Sequence, residues 1–130
     1  MDGSRRIQRL TRMATLISIL AGVLAGLMGA LCGVGGGIIM VPIFVSLLGL
    51  GQKQAVATSL AVIFFTSISA TVNNIKNTDL IHWHIVIPAA IGAVIAAWLG
   101  SDWMRTLSND TLTKVFGGIL IVFGAKMLLK

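Results

Sequence analysis

The sequence is poor in charged residues, and this scarcity excludes two broad classes of protein. Charged side chains make up 11% of the chain, whereas 56% of its residues are hydrophobic and the mean hydropathy is +0.96. Ordinary soluble domains carry about 25% charged residues, and disordered chains have low hydrophobicity. The composition therefore favours an integral membrane protein.

Groups that carry catalysis or bind metals are also scarce. The lone cysteine, Cys32, allows no intramolecular disulfide. The sequence has no nucleophile–base pair, no metal-ligand cluster and no phosphate loop in a strand–helix setting. We therefore expect a protein that is not an enzyme and has no catalytic residue, no metal site and no cofactor.

The positive charge is concentrated before the first apolar run. Four of the ten cations are Arg5, Arg6, Arg9 and Arg12, and cytoplasmic flanks of membrane spans are enriched in this way. Residues 1–13 are therefore predicted to form a basic cytoplasmic segment, and nucleic acid is not a predicted partner. A basic start before an apolar run is also typical of a signal peptide, but this run continues without a polar mature domain. We expect an uncleaved multi-pass protein of the cell inner membrane.

Four apolar runs approach the roughly 20 residues that one span needs: residues 14–32, 55–75, 85–103 and 112–129. A fifth run, residues 38–50, is too short for a comfortable span. The prediction is an all-α integral membrane protein with about four transmembrane helices plus a glycine-broken re-entrant half-helix. Five spans stay open as an alternative, because seven of the ten cations lie inside in both topologies.

The apolar region is interrupted by glycines at Gly33, Gly35, Gly36 and Gly37. Each glycine costs a helix interior about 1 kcal/mol relative to alanine, and a broken helix at membrane depth must be buried in protein or line a cavity. Transporters use such breaks to aim helix N-terminal N–H groups at anions. These glycines are therefore the predicted substrate-binding residues. The competing interpretation is that they only permit tight packing.

A second glycine pattern precedes the break. Gly22, Gly26, Gly29 and Gly33 recur at spacings of four, three and four, which places them on one helical face. Such a row of small residues lets another helix approach closely. We interpret this row as a packing surface.

Polar side chains follow one face of the next predicted span. Thr58, Ser59 and Asn73, together with Thr66 and Ser69, fall within an arc of about 100° at 3.6 residues per turn. They either line a polar path or bond to their own helix, and both interpretations stay open. If these side chains line a polar path, Thr58, Ser59 and Asn73 contribute to substrate binding.

Groups suited to proton coupling are few. No carboxylate lies at the middle of a predicted span, although many proton-driven carriers use one. His82 and His84 are the side-chain type that titrates near neutrality, so they are the candidates for proton coupling. A histidine at a helix entrance is more often structural.

Several segments resemble the sulfite exporter TauE/SafE family. They are Gly-x-x-x-Gly-x-x-Gly-x-x-x-Gly-Val-Gly-Gly-Gly over residues 22–37, Val-Pro at 41–42, Ala-Val-Ala-Thr-Ser-Leu at 55–60, Asp-Leu-Ile-His-Trp-His at 79–84 and Val-Phe-Gly-Gly at 115–118. The resemblance makes residues 14–130 one transmembrane repeat of that family. It implies a transporter, commonly an exporter, of sulfur-containing and carboxylate anions such as sulfite and sulfonates.

The resemblance also bears on assembly. The usual member has two such units in one chain and this chain has one, so the resemblance implies a homodimer in the lipid bilayer. Two other functions stay open. One is a passive anion channel, and the other is a non-transporting membrane subunit in which conservative replacement of Thr58 and Ser59 would leave function intact.

Overall fold

The computed structural model describes residues 2–76 and 79–129, and these residues form five α-helices and no strand. The helices are α1 (Asp2–Cys32), α2 (Gly37–Leu48), α3 (Gln52–Ile75), α4 (Trp83–Thr106) and α5 (Asn109–Leu128). All except α2 are long and apolar enough to cross a membrane. The prediction of an all-α protein with four long apolar helices is confirmed.

Helix α2 is the short element. Its 12 residues give a length of about 18 Å at 1.5 Å per residue, against about 30 Å for the hydrocarbon core of a bilayer. Pro42 lies in the second turn of α2. Because proline has no N–H, one internal hydrogen bond is missing, the one to the carbonyl of Ile38.

Helix α1 is longer than the apolar run that predicted it. Its 31 residues correspond to about 46 Å, and they include the basic segment that precedes Ala14. The arginines of that segment therefore lie on the same helix as the first apolar span.

The chain divides into two compact units, one ending at Ser67 and the other beginning at Ile68. In the first unit, α1 and α2 pack against each other. The buried residues come from three helices and one loop: Ala21 and Ala25 of α1, Gly36 of the loop that follows it, Met40, Val41 and Phe44 of α2, and Gln52, Ala55 and Ser59 of α3. Small residues on α1 face large ones on α2, which lets the short helix approach closely.

The contact row on α1 differs from the predicted one. Gly29 lies at the contact, as predicted, but a methyl group at Gly22 or Gly26 would meet no described atom within 4 Å. The residues that pack are Ala21, Ala25 and Gly29. They form a row with a strict spacing of four, displaced by one residue from Gly22 and Gly26.

The turn between α2 and α3 is closed by backbone bonds. The Phe44 carbonyl accepts hydrogen bonds from the N–H groups of Gly49 and Leu50, and Gly49 has φ +66°. The two hydrogen bonds to one carbonyl and the left-handed glycine together end α2 and turn the chain toward α3. The Gly51 N–H then donates to Oε1 of Gln54 at 3.2 Å, which caps the start of α3.

The second unit contains α4 and α5, on which no described residue is buried. Trp98 and Trp103 are 74% and 70% exposed. Helix α5 starts with a local cap, because the Oγ of Ser108 accepts from the Thr111 N–H at 3.2 Å. Helices that are this apolar and this exposed require lipid or another protein surface around them.

Candidate functional site at the glycine break

The break between α1 and α2 is made by glycines in the left-handed backbone region. Gly33 ends α1 with φ +70°, and its N–H donates to the Gly29 carbonyl at 2.8 Å. Gly35 and Gly36 follow with φ +69° and +77°, and among the described residues only glycines have a positive φ. Any other residue in this conformation would raise the free energy of the folded state by about 1–2 kcal/mol at each position. The backbone path of the loop therefore requires glycine at three of its four residues.

The loop is packed between two helices. On one side, a methyl group at Gly36 would collide with the carbonyl oxygen of Ala25 and lie 2.8 Å from the Ala25 Cβ. On the other side, a methyl group at Gly35 would lie 2.9 Å from Cγ2 of Ile63, and one at Gly37 would lie 3.0 Å from its Cδ1. The glycines thus bring the loop into direct contact with both α1 and α3.

The first turn of α2 offers backbone donors. The Gly36 carbonyl accepts from the N–H groups of Ile39 and Met40, both at 3.1 Å, and no side chain caps the helix. The N–H groups of residues 35–38 have no hydrogen-bond acceptor within the part of the chain that the structure describes. Gly36 is buried, Gly35 and Gly37 are half-buried, and Ile38 is 42% exposed, so Gly35, Gly37 and Ile38 are the accessible members of the group. This is the arrangement of donors that binds small oxyanions.

The electrostatic character of the break comes from the backbone. Along the chain, the nearest charged residues are Arg12 on one side and Lys53 on the other. The remaining source of positive potential is the dipole of α2, equivalent to about half an elementary charge at the helix N-terminus. The sequence from residue 13 to residue 52 thus supplies neither a carboxylate that would repel an anion nor a cation that would retain one.

The hydroxyl groups predicted to line a path are in two different states. The Oγ of Ser59, which is buried, donates to the Val56 carbonyl at 2.8 Å, and the Oγ1 of Thr66 donates to the Ile63 carbonyl at 3.0 Å. Thr58 is exposed, and no described residue hydrogen-bonds to its side chain. The hydroxyl groups of Ser59 and Thr66 are therefore bonded to their own helix, whereas the O–H of Thr58 is available to donate a hydrogen bond.

Ile63 is a site residue that the sequence did not reveal. It lies one turn after Ser59 on the same face of α3 and covers the glycine loop through Gly35 and Gly37. An isoleucine within an apolar run gives no signal of its own. The one sequence feature that could have indicated it is its position four residues after Ser59, which places both residues on one face of α3.

Three predicted site residues belong to the second unit. Asn73 is exposed near the end of α3. His82 precedes α4, and its carbonyl accepts from the N–H groups of Ile85 and Val86 at 2.9 and 3.1 Å. His84 lies in the first turn of α4, with its ring centroid 5.8 Å from that of His82. Both histidines are exposed at a helix start.

Four long apolar helices and a short helix entered through a glycine break define a multi-pass α-helical membrane protein. The family model of the sulfite exporter TauE/SafE matches residues 4–130. The chain therefore belongs to the sulfite exporter TauE/SafE family, which is a family of transporters and not of enzymes.

Several proteins of similar sequence are described as probable membrane transporters. The chain is 29% identical over 96 residues to the probable membrane transporter protein YunE of Bacillus subtilis, a match that covers 74% of the chain and 35% of YunE. It is 28% identical over 103 residues to the probable membrane transporter protein MamO of Magnetospirillum gryphiswaldense, covering 74% of the chain and 16% of MamO. A probable membrane transporter protein of Xylella fastidiosa is 29% identical over 91 residues, covering 68% of the chain and 34% of that protein.

The chain thus spans about a third of the length of YunE and of the Xylella protein. No solved structure matches it.

Proposed function

We propose that the chain is one repeat unit of an exporter for small sulfur-containing or organic anions, such as sulfite or sulfonates. The observation that carries the proposal is the group of N–H donors at residues 35–38, which have no acceptor among the described residues and open the short helix α2. Gly33, Gly35, Gly36 and Gly37 shape this donor group, and the exposed Thr58 supplies a side-chain donor. Membership of a transporter family supports the same assignment.

The proposed site binds its anion without a fixed cation. Backbone N–H groups and a helix dipole make several directed bonds to an oxyanion, yet they supply only about half a charge. Binding of this strength is weak to moderate, which favours release on the far side of the membrane. An arginine or lysine at the same place would retain the anion more tightly.

The proposal includes a homodimer in the bilayer of the inner membrane, with α2 as a re-entrant half-helix. One observation supports the second copy, because the described residues of α4 and α5 are all at least partly exposed within one chain. His82 and His84 are the proposed candidates for proton coupling, because no carboxylate lies at the middle of a long helix.

Anion flux in proteoliposomes tests the proposal. We expect saturable flux of one class among sulfite, thiosulfate, sulfate, a sulfonate and a short carboxylate, with counterflow and with a response to an imposed pH gradient if the histidines couple transport. Gly36→Leu should abolish it, because the larger side chain displaces the loop from Ala25. Gly22→Leu is the matched control, since a side chain there meets no described atom within 4 Å.

The other outcomes separate the alternatives. Linear flux without counterflow would indicate a passive channel. No flux of any anion, from protein shown to be folded and dimeric, would indicate a non-transporting subunit.

Cys32 reports where the anion binds. It is the sole cysteine, it is exposed, and it precedes Gly33 directly. A transported sulfonate bound at the break should slow alkylation of Cys32 by iodoacetamide several-fold, whereas a neutral solute of similar size should not. Saturable flux together with unchanged alkylation would place the binding site elsewhere.

Thr58→Val tests the side-chain donor, with its neighbour Ser59→Ala for comparison. A hydrogen bond to a charged group contributes about 1.5–3 kcal/mol, so Thr58→Val should raise the half-saturating anion concentration about tenfold or more. Ser59→Ala should change it little, because the Ser59 hydroxyl already donates to the Val56 carbonyl. Ser18→Ala is the control, because the Ser18 hydroxyl makes the same type of bond, to the Ala14 carbonyl at 2.8 Å, on α1. Unchanged flux parameters in both α3 variants would favour the packing-only role for this face.

A further inference from the structure

The first three turns of α1 carry a cluster of arginines that the proposed anion site does not use. Arg5, Arg6, Arg9 and Arg12 lie on the same uninterrupted helix as the first apolar span. We propose that these four residues, the arginine face, bind the phosphate groups of anionic phospholipids at the membrane surface. The inference is independent of the anion that the protein transports.

The helix places the four guanidinium groups on one side. At 100° per residue, the arginines fall within an arc of about 120°. Arg5, Arg9 and Arg12, with Gln8, line a surface cavity of about 260 Å³. Because the segment is helical through to the apolar span, the arc has a defined orientation relative to that span.

The opposite side of the same turns is uncharged. It carries Gly3, Ser4, Ile7 and Thr11, and Ile7, which is 66% exposed, projects roughly 160° from the centre of the arginine face. All four positive charges of these turns therefore lie on one side of the helix, as in helices whose basic face contacts anionic lipid.

Among the side chains that the structure describes, none forms an ion pair or hydrogen bond with Arg5, Arg6, Arg9 or Arg12. Asp2 is the one acidic residue that precedes Asp79 in the sequence. One carboxylate cannot neutralise four guanidinium groups, so the arc leaves positive charge for anions from outside the chain, and guanidinium binds phosphate oxygens in a bidentate manner.

The depth of the arginines matches that of lipid phosphates. Arg12 lies two residues before Ala14, where the uncharged run begins, or about 3 Å along the helix axis, and Arg9 about 7.5 Å. The headgroup layer on each side of the hydrocarbon is about 5–7 Å thick. Arg5 and Arg6 lie further out, and long side chains of this type extend along the helix toward the phosphates.

Native mass spectrometry of the full chain tests the proposal. The protein is released from mixed micelles that contain equal amounts of phosphatidylglycerol and phosphatidylcholine, and the retained lipids are counted. We expect selective retention of phosphatidylglycerol, reduced about fivefold by one Arg→Gln substitution such as Arg9→Gln and abolished when all four arginines are replaced by glutamine. Micelles give both ends of each helix equal access to lipid, so a change of membrane orientation does not affect the result.

Matched variants and a competitor make the result specific. Replacement of all four arginines by lysine keeps the charge and should keep part of the selectivity, because lysine binds phosphate without the bidentate geometry. Lys114→Gln with Lys126→Gln removes charge elsewhere and should change nothing. Equal retention by wild type and the four-glutamine variant would overturn the proposal. So would displacement of the lipid by millimolar inorganic phosphate, which would indicate a site for free anions.

Discussion

Gly36→Ala is expected to destabilise the folded protein by about 3–4 kcal/mol, whereas Gly33→Ala should cost only about 1–2 kcal/mol. Both residues have φ near +70°, so both variants lose stability because alanine disfavours the left-handed backbone conformation. The difference lies in the surroundings. A methyl group at Gly36 collides with the backbone carbonyl of Ala25, while one at Gly33 meets no described atom within 4 Å.

The larger cost at Gly36 arises because the obstacle is backbone. A flexible side chain would rotate away from the new methyl group, but the carbonyl of Ala25 belongs to the middle of α1. The loop must therefore move off α1, which also exposes buried residues of α2 such as Met40. Unfolding in mixed micelles with increasing dodecyl sulfate, followed by far-ultraviolet circular dichroism, measures both variants. Equal losses at the two positions would mean that the loop does not pack on Ala25.

Gly29→Ala and Gly26→Ala are expected to change stability in opposite directions. Both glycines lie within α1, where alanine is favoured over glycine by about 1 kcal/mol. A methyl group at Gly26 meets no described atom within 4 Å, so this variant should gain up to that amount. A methyl group at Gly29 would lie 2.8 Å from the Gly36 nitrogen and 2.9 Å from the Gly35 carbonyl carbon.

The contact at Gly29 is tighter than van der Waals packing permits. Overpacking of this kind costs about 1–3 kcal/mol, so Gly29→Ala should be destabilised by up to about 2 kcal/mol after the helical gain. The same dodecyl sulfate titration detects the sign. In the flux assay, Gly29→Ala should also reduce transport, because it shifts the loop that holds the donors, whereas Gly26→Ala should transport normally. Stabilisation by both variants would contradict the close approach of loop and helix.

The apolar runs determined most of the architecture. Predicted spans at residues 55–75, 85–103 and 112–129 correspond to α3, α4 and α5, whose ends lie within three residues of the predicted ones. The interruption of the first apolar region was also predictable, because consecutive glycines are poor helix formers and each conformation with positive φ favours glycine. The family could be recognised from the glycine pattern, and the family match confirms it.

The sequence was less informative about where the basic segment ends. The composition changes from basic to apolar at Ala14, but the secondary structure does not change there. Helix α1 continues through Ala14 without interruption. Arginine and glutamine are good helix formers, so nothing at that point ends a helix.

By itself, then, the sequence determined that the chain is a membrane protein, how many long helices it has and where its first apolar region breaks. Only the tertiary structure decided which small residues make contact. Helix α1 has two neighbouring rows of small residues, and either row would permit close approach of another helix. The row that makes contact contains Ala21, Ala25 and Gly29, and the other contains Gly22 and Gly26. The choice depends on the rotation of α1 about its axis, which is set by the loop that packs on Ala25 and Gly29 and by Ile63 on its other side. Such contacts join residues far apart in the chain, and hydrophobic periodicity carries no information about them.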